Sequence, residues 1–185
     1  MVNSRVDRLS ESNLNDFWTV HSQANGMAEC YCAFWWTDFE DDWDKRTPED
    51  NKALRREIFN KGIYDGYLLY VDNQPAGWCQ VIQRDRLSKL TRNFELQSDE
   101  SIWTISCFFI AKNFRRQGMA EFLLREVIAD LKARQVEKLE AYPRHGEITK
   151  DDELWSGPQE IFKNAGFECL KTGKNRIIMS LKLQE

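Results

Sequence analysis

Apolar residues along this chain fall into two rhythms. The clearest lies in "NFRRQGMAEFLLREVIADL", where Ala120, Leu123, Leu124, Val127, Ile128 and Leu131 recur in steps of three and one and predict one buried stripe on a long helix. A helical spacing also runs through "ESNLNDFWTVHSQ" at Leu14, Phe17 and Trp18. In "TPEDNKALRREIFNKG" the stripe is Leu54, Ile58 and Phe59, with Thr47 suited to the N-cap, Pro48 to the first helical position and Gly62 to the stop. "SGPQEIFKNAG" predicts a short helix capped by Ser156 and closed at Gly166. The second rhythm is the alternation of strands. "RVDRLS" and "VEKLEAY" are strand candidates, and "DGYLLYV" and "AGWCQVI" flank "DNQPAG" as a hairpin. "FECLK" and "RIIMSLKL" form a second hairpin around "TGKN". "SIWTISCFFIA" is apolar on both alternating faces, as a buried central strand must be. "RDRLSKLTRNFELQSDE" and "PRHGEITKDDEL" read as loops, and "GMAECYCAFWWTDFEDDWDKR" is aromatic and acidic without a clean period. The order is strand, two helices, three strands, helix, strand, helix, two strands. It predicts an α/β fold, a mixed sheet with helices on its faces.

Composition narrows the classes. A length of 185 residues suits one domain, expected over 1–185, and 42% hydrophobic residues are enough for a core. No apolar run approaches the roughly 20 residues that cross a bilayer, and "MVNSRVDRLSESN" has no signal-peptide core, so no membrane association is expected. Five scattered cysteines in apolar company suggest reduced thiols and a cytoplasmic protein. A net charge of −4 gives no reason to expect nucleic acid as a partner. Cys30 and Cys32 are too close for a usual zinc half-site and no second pair follows, so no metal is expected.

The chemistry starts at the mouth of the long helix. Arg115, Arg116 and Gly118 precede a helix N-terminus, where unpaired N–H groups and partial positive charge favour an anion. Physics alone leaves two readings open, a polyanion site or a connector with solvated arginines. No Walker-type Gly-Lys-Ser/Thr turn and no early G-x-G-x-x-G follow a first strand, which disfavours an unrelated nucleotide-binding domain.

At this point the chain resembles a known family. Arg115-Arg116-Gln117-Gly118-Met119-Ala120 matches R/Q-x-x-G-x-G/A, the acetyl-CoA motif of the GCN5-related N-acetyltransferases, and it sits between a buried strand and a long amphipathic helix. "IFKNAGF" is similar to that family's "LYxxxGF" segment. More narrowly, "CYCAFWW", "QPAGWCQV", "SCFFI", "EAYP" and "SGPQEIFKNAGF" resemble an uncharacterised bacterial branch with a "CWCxxW" segment. The resemblance implies a mixed, mostly antiparallel sheet with a splayed central strand and helices on both faces. It implies acetyl-CoA as co-substrate, with Phe108, Phe109 and Ile110 pairing with its pantetheine arm. Arg115, Arg116, Gln117, Gly118, Met119 and Ala120 would hold its pyrophosphate, and Ser156 and Phe162 would line its thiol end. The implied reaction is direct attack of an amine on the thioester, with a small-molecule amine as acceptor.

The proton chemistry is less regular. Where some members of the family carry a Glu on the central strand, this chain has Thr104, and where many carry a Tyr it has Phe162. Glu100, with Asp99, is a candidate base acting through water, or a loop carboxylate. Tyr142 is a candidate acid, or a packing residue. Cys107 is a candidate nucleophile, or an inert buried thiol. Tyr31, Trp35 and Trp36 are candidates for the acceptor pocket, where aromatic faces hold a cation, and the acids of "TDFEDDWD" would attract an amine or simply be solvated. A fold that binds CoA without turning it over is the alternative to an enzyme. The C-terminal hairpin is a candidate surface for a homodimer.

Overall fold

A computed structural model describes residues 3–23, 30–145, 155–173 and 175–184. Seven strands form one sheet in the order β1-β2-β3-β4-β5-β7-β6: β1 (Ser4–Arg8), β2 (Gly66–Val71), β3 (Gln74–Gln83), β4 (Ile102–Ile110), β5 (Lys138–Ala141), β6 (Glu168–Thr172) and β7 (Ile177–Lys182). Every neighbouring pair is antiparallel except β4 and β5. Among the described residues five helices accompany the sheet: α1 (Leu14–Ser22), α2 (Pro48–Asn60), α3 (Ser88–Asn93), α4 (Met119–Ala133) and α5 (Gln159–Asn164).

The alternation of β2 divides the core into two faces. Tyr67, Leu69 and Val71 join Leu123, Leu124, Val127 and Leu131 of α4 and Ile161 and Phe162 of α5. Leu68 and Tyr70 face the other way, onto Phe17 and Val20 of α1 and Phe59 of α2. A sheet buried on both sides needs strands that are apolar on both sides, which β4 is. Asp72 and Asn73, both with φ near +50° to +60°, make the tight β2–β3 turn that matches the right-handed strand twist. The capping at α2 follows the sequence: the Asp50 N–H donates to the Thr47 hydroxyl at 3.2 Å, and the Thr47 N–H donates to the Asp50 carboxylate at 2.9 Å.

The structure corrects two expectations. The stretch after β3, expected to be a loop throughout, contains α3, whose Leu90 is fully buried. A helix this short leaves too little periodicity to read, and its N-cap, Leu87, supplies no capping side chain. Ser156 does not cap α5. Pro158 occupies that place, because Gly157 at φ +80° turns the chain between them and Ser156 pairs with β4 instead. Of the polar stretch 143–154, expected as a loop, residues 146–154 lie outside the described residues.

Thr47→Ala is expected to lower the unfolding free energy by about 1 kcal/mol, read as a shift of the urea midpoint at constant slope, while Thr47→Ser leaves most of the cap in place.

Candidate functional site

The parallel pair β4–β5 is short. Ile102, Trp103, Thr104 and Ile105 face Lys138, Leu139, Glu140 and Ala141 in register, and there the pairing ends while β4 continues to Ile110. The two strands therefore open as a fork. A bulge accompanies the opening: Val81 of β3 pairs with Ile105 and Gln80 with Cys107, so Ser106 is an extra residue. The bulge frees the Ser106 carbonyl, which accepts the Trp35 indole N–H at 3.3 Å, and the Ser106 hydroxyl donates to the Gln80 side-chain carbonyl at 2.9 Å. Beyond it Phe108 packs toward α4 and α5, and Phe109 toward α1.

One bond closes the outer part of the fork. The Phe108 N–H donates to the Trp155 carbonyl at 2.7 Å, and Phe108 and Ser156 form an isolated parallel bridge. Ser156 is 1% exposed and its hydroxyl has no hydrogen-bond partner among the described residues. A buried hydroxyl left unpaired costs free energy, so a ligand acceptor reaching it would be stabilised there. Phe162 is fully buried and packs edge to face with Phe108, ring centroids 6.1 Å apart.

Past β4 a single 3-10 turn, Lys112–Phe114, leads to the basic turn. The Arg115 side chain donates to the Ile110 carbonyl at 2.9 Å and pins the end of β4. Arg116 has φ +59° and Gly118, the N-cap of α4, has φ +75°. Left-handed steps of this kind gather successive N–H groups into an anion-binding concavity. The strained arginine marks a conformation that its surroundings impose. A Cβ added at Gly118 would meet nothing within 4 Å, so the glycine is required by its φ rather than by lack of space. Gln117 is exposed and donates to the Asn113 carbonyl, Met119 sulfur accepts from Ser4, and Ala120 packs on the core. Arginines, a concave turn and the N-terminus of a 15-residue helix fit a pyrophosphate.

At the crotch of the fork lies a buried charge cluster. Glu140, the register partner of Thr104, accepts from Arg84 at 3.1 Å and from the Tyr142 hydroxyl at 2.6 Å. Arg84 also donates to the Gln97 carbonyl. Burial, reinforced by the Glu140 charge, pushes the Tyr142 phenol far up, so it stays protonated at any physiological pH. Tyr142 is thus placed at the fork. Glu100 is not: it is exposed in the turn before β4, and from Ile102, where the strand starts, Phe108 is six strand steps on, or about 20 Å at 3.3 Å per residue. Asp99, beside it, is held by Ser101 and sits below the usual carboxylate range. Glu140 and Arg84 went unnoticed in the sequence. A lone carboxylate between Leu139 and Ala141 in a short apolar strand was the available signal.

The aromatic segment is fastened to the sheet beside this cluster. The Trp36 indole donates to Asp65 at 2.8 Å, and Asp65 takes two bonds from Arg55 at 2.8 and 2.5 Å and one from Gln80 at 2.7 Å. Burial alone would raise the Asp65 carboxyl. The Arg55 charge, with the Arg55, Gln80 and Trp36 hydrogen bonds, outweighs it and holds the group below its ordinary value. Trp35 is 4% exposed, while Tyr31, at φ +46°, stacks on His21. His21 gives its Nδ1 proton to the Phe17 carbonyl, which leaves Nε2 to accept from the Cys32 thiol at 3.4 Å, and Cys32 touches Cys107. Burial drives His21 down to about 3 and raises the Cys32 and Cys107 thiols, so all three are neutral core groups and Cys107 has no activated thiolate.

Residues 29–149 match the sequence profile of the Acetyltransferase (GNAT) family. Among solved structures, the ribosomal-protein-S18-alanine N-acetyltransferase of Escherichia coli is similar in fold, with TM-score 0.58, 15% identity and coverage of 99% of this chain and 96% of that one. The PaiA N-acetyltransferase of Thermoplasma acidophilum, solved in complex with coenzyme A, gives TM-score 0.57 and 11% identity over 97% of this chain and 99% of that one. Ard1 of Thermoplasma volcanium gives 0.58 and 13% over 98% and 99%. At these identities the likeness is one of fold. No curated protein sequence matches the chain significantly. Among the described residues no helix is long and apolar enough to cross a membrane.

Asp65→Asn leaves the Arg55 guanidinium buried without its counter-charge and is expected to cost about 3–5 kcal/mol in chemical denaturation. The native carboxyl is depressed, so its contribution is present above the unfolded value near 3.9 and is lost as pH falls below it. Acid unfolding of the native protein should therefore steepen below about pH 4, and the variant should lack that component.

Proposed function

Since the chain belongs to the acetyltransferase (GNAT) family, we propose that it transfers an acyl group, acetyl in the first instance, from acyl-CoA to the nitrogen of a small amine by direct attack. The observation that carries this reading is the juxtaposition of a fork between parallel strands with a basic, left-handed turn at the mouth of α4. The turn at Arg115–Ala120 suits the pyrophosphate. The backbone of β4 beyond Ile105 suits the pantetheine arm, which would take over the Phe108 N–H from Trp155. The unpaired Ser156 hydroxyl is a donor for the thiol end. Positioning the amine against the carbonyl and stabilising the developing oxyanion by backbone N–H groups supply most of the rate.

The proton route runs through the crotch of the fork. The C–N bond forms as the C–S bond breaks, and the proton that leaves nitrogen ends on the CoA thiolate. Tyr142 relays it, giving its own hydroxyl proton to the departing thiolate and taking the proton that leaves nitrogen, while Glu140, held by Arg84, orients the hydroxyl. A second reading, a CoA-dependent sensor without turnover, is favoured by the Phe108–Trp155 bond, which occupies the donor's place on β4, and by Phe162, which offers no hydroxyl.

Calorimetric titration with acetyl-CoA should give saturable binding, and its absence at high micromolar concentration would sink both readings. Arg116→Ala should weaken that binding on the order of tenfold, with the unfolding midpoint retained because the side chain is exposed. Glu140→Gln should lower kcat by roughly 10²–10⁴ while acetyl-CoA binding persists. CoA binding with no thiol release from any amine would favour the sensor.

A further inference from the structure

Arg176, just before β7, is a cation with no anion beside it among the described residues. Its guanidinium lies 4.5 Å over the Trp155 ring, and it donates a hydrogen bond to the Tyr142 carbonyl at 2.7 Å. It makes no ion pair with any described residue. Its backbone bridges Arg144, a second positive charge. Burial first, and the Arg144 charge second, lower it to about 10, so it remains charged at neutral pH and bears the cost of being so. A half-buried arginine set beside another arginine is a poor structural choice, because a neutral side chain could fill the same space without the desolvation penalty. Such groups concentrate where a ligand supplies the missing charge.

Its surroundings say which ligand. Trp155, under the guanidinium, gives its carbonyl to Phe108 on the open arm of the fork, and its ring borders Phe34 of the aromatic segment, 6.4 Å away. Tyr142, whose carbonyl Arg176 holds, carries the hydroxyl bonded to Glu140. Arg176 therefore stands at the thioester end of the fork, on the side of Phe34. The basic turn after β4, where the phosphates of CoA are expected, is a separate site. The anion that reaches Arg176 belongs to what is being joined at the thioester.

We propose that Arg176 binds the carboxylate of the acceptor, so that the acceptor is an amino acid rather than a simple amine. The inference rests on the acyl-transfer reading. The guanidinium takes the carboxylate through two parallel N–H donors, with Trp155 fixing the plane of the fork. The ammonium end then lies toward Tyr142 and Glu140, where it gives one proton to solvent and attacks as the free amine. A carboxylate carried on the acyl chain of the donor has the same chemistry and is separated from the acceptor by the test.

The test uses the full chain and matched acceptors: lysine and cadaverine, ornithine and putrescine, tyrosine and tyramine, tryptophan and tryptamine. Acetyl transfer is followed by release of free CoA thiol. For at least one pair the amino acid should exceed its amine in kcat/KM by about 30-fold or more, through KM. Arg176→Gln should collapse that ratio toward one, and Arg176→Lys should restore part of it. Calorimetry with acetyl-CoA and the urea midpoint, measured on each variant, separate loss of selectivity from loss of fold. Equal activity on both members of every pair overturns the proposal, as does a ratio that survives Arg176→Gln. A preference that depends on Arg176 only when succinyl-CoA replaces acetyl-CoA places the carboxylate on the donor and overturns it too. If acetyl-CoA binds but no acceptor of either kind releases thiol, the transfer reading itself fails.

Discussion

β4 and β5 run parallel for four residues and then part, and most of what this protein offers a ligand follows from that separation. A parallel pair needs a crossover, and the crossover here is α4. Its N-terminus must then lie near the end of β4, which is where the strands diverge. The fork and the basic helix mouth are therefore one arrangement, produced by one connection. The Ser106 bulge refines it by giving β4 an extra residue where the strand needs to change its alternation.

The wall beside the fork depends on a buried carboxylate. Asp65 gathers Arg55 of α2, Gln80 of β3 and Trp36 of the aromatic segment around a single group. Taking these polar atoms out of water is costly, and the hydrogen bonds that Arg55, Gln80 and Trp36 give Asp65 offset that cost. The consequence is positional. The segment from Cys32 to Trp36 carries no regular strand or long helix to hold it, yet the indole N–H groups of Trp35 and Trp36 tie it to β4 and to Asp65. The neutral His21–Cys32–Cys107 contact completes the same face without chemistry of its own.

Much of the fold could be read from spacing. The stripe from Ala120 to Leu131, the Thr47 cap, the Asp72-Asn73 turn and the doubly apolar β4 are local signals, and each corresponds to a local feature of the structure. The departures also have local causes. α3 is too short to show a period, and Ser156, which has the right chemistry for a cap, is turned aside by Gly157 onto β4. The basic turn was legible because its residues are contiguous. The Arg84–Glu140 pair was not, since 56 positions separate its partners and nothing in either neighbourhood points to the other. Arg176 carried no signal in the sequence, where it is one arginine in a hairpin.

By itself, then, the sequence determined the order of the elements other than α3, the two-faced sheet and the basic turn at the mouth of α4. These rest on residues that interact within one helical turn, one hairpin or one loop, so their spacing along the chain is their geometry. Only the tertiary structure decided that Glu140 stands across from Thr104, that Asp65 fastens the aromatic segment, and that Arg176 faces Trp155 with no counter-ion among the described residues. Burial sets the consequence of each of these charges, and burial is a property of the packed sheet that no stretch of the chain carries alone.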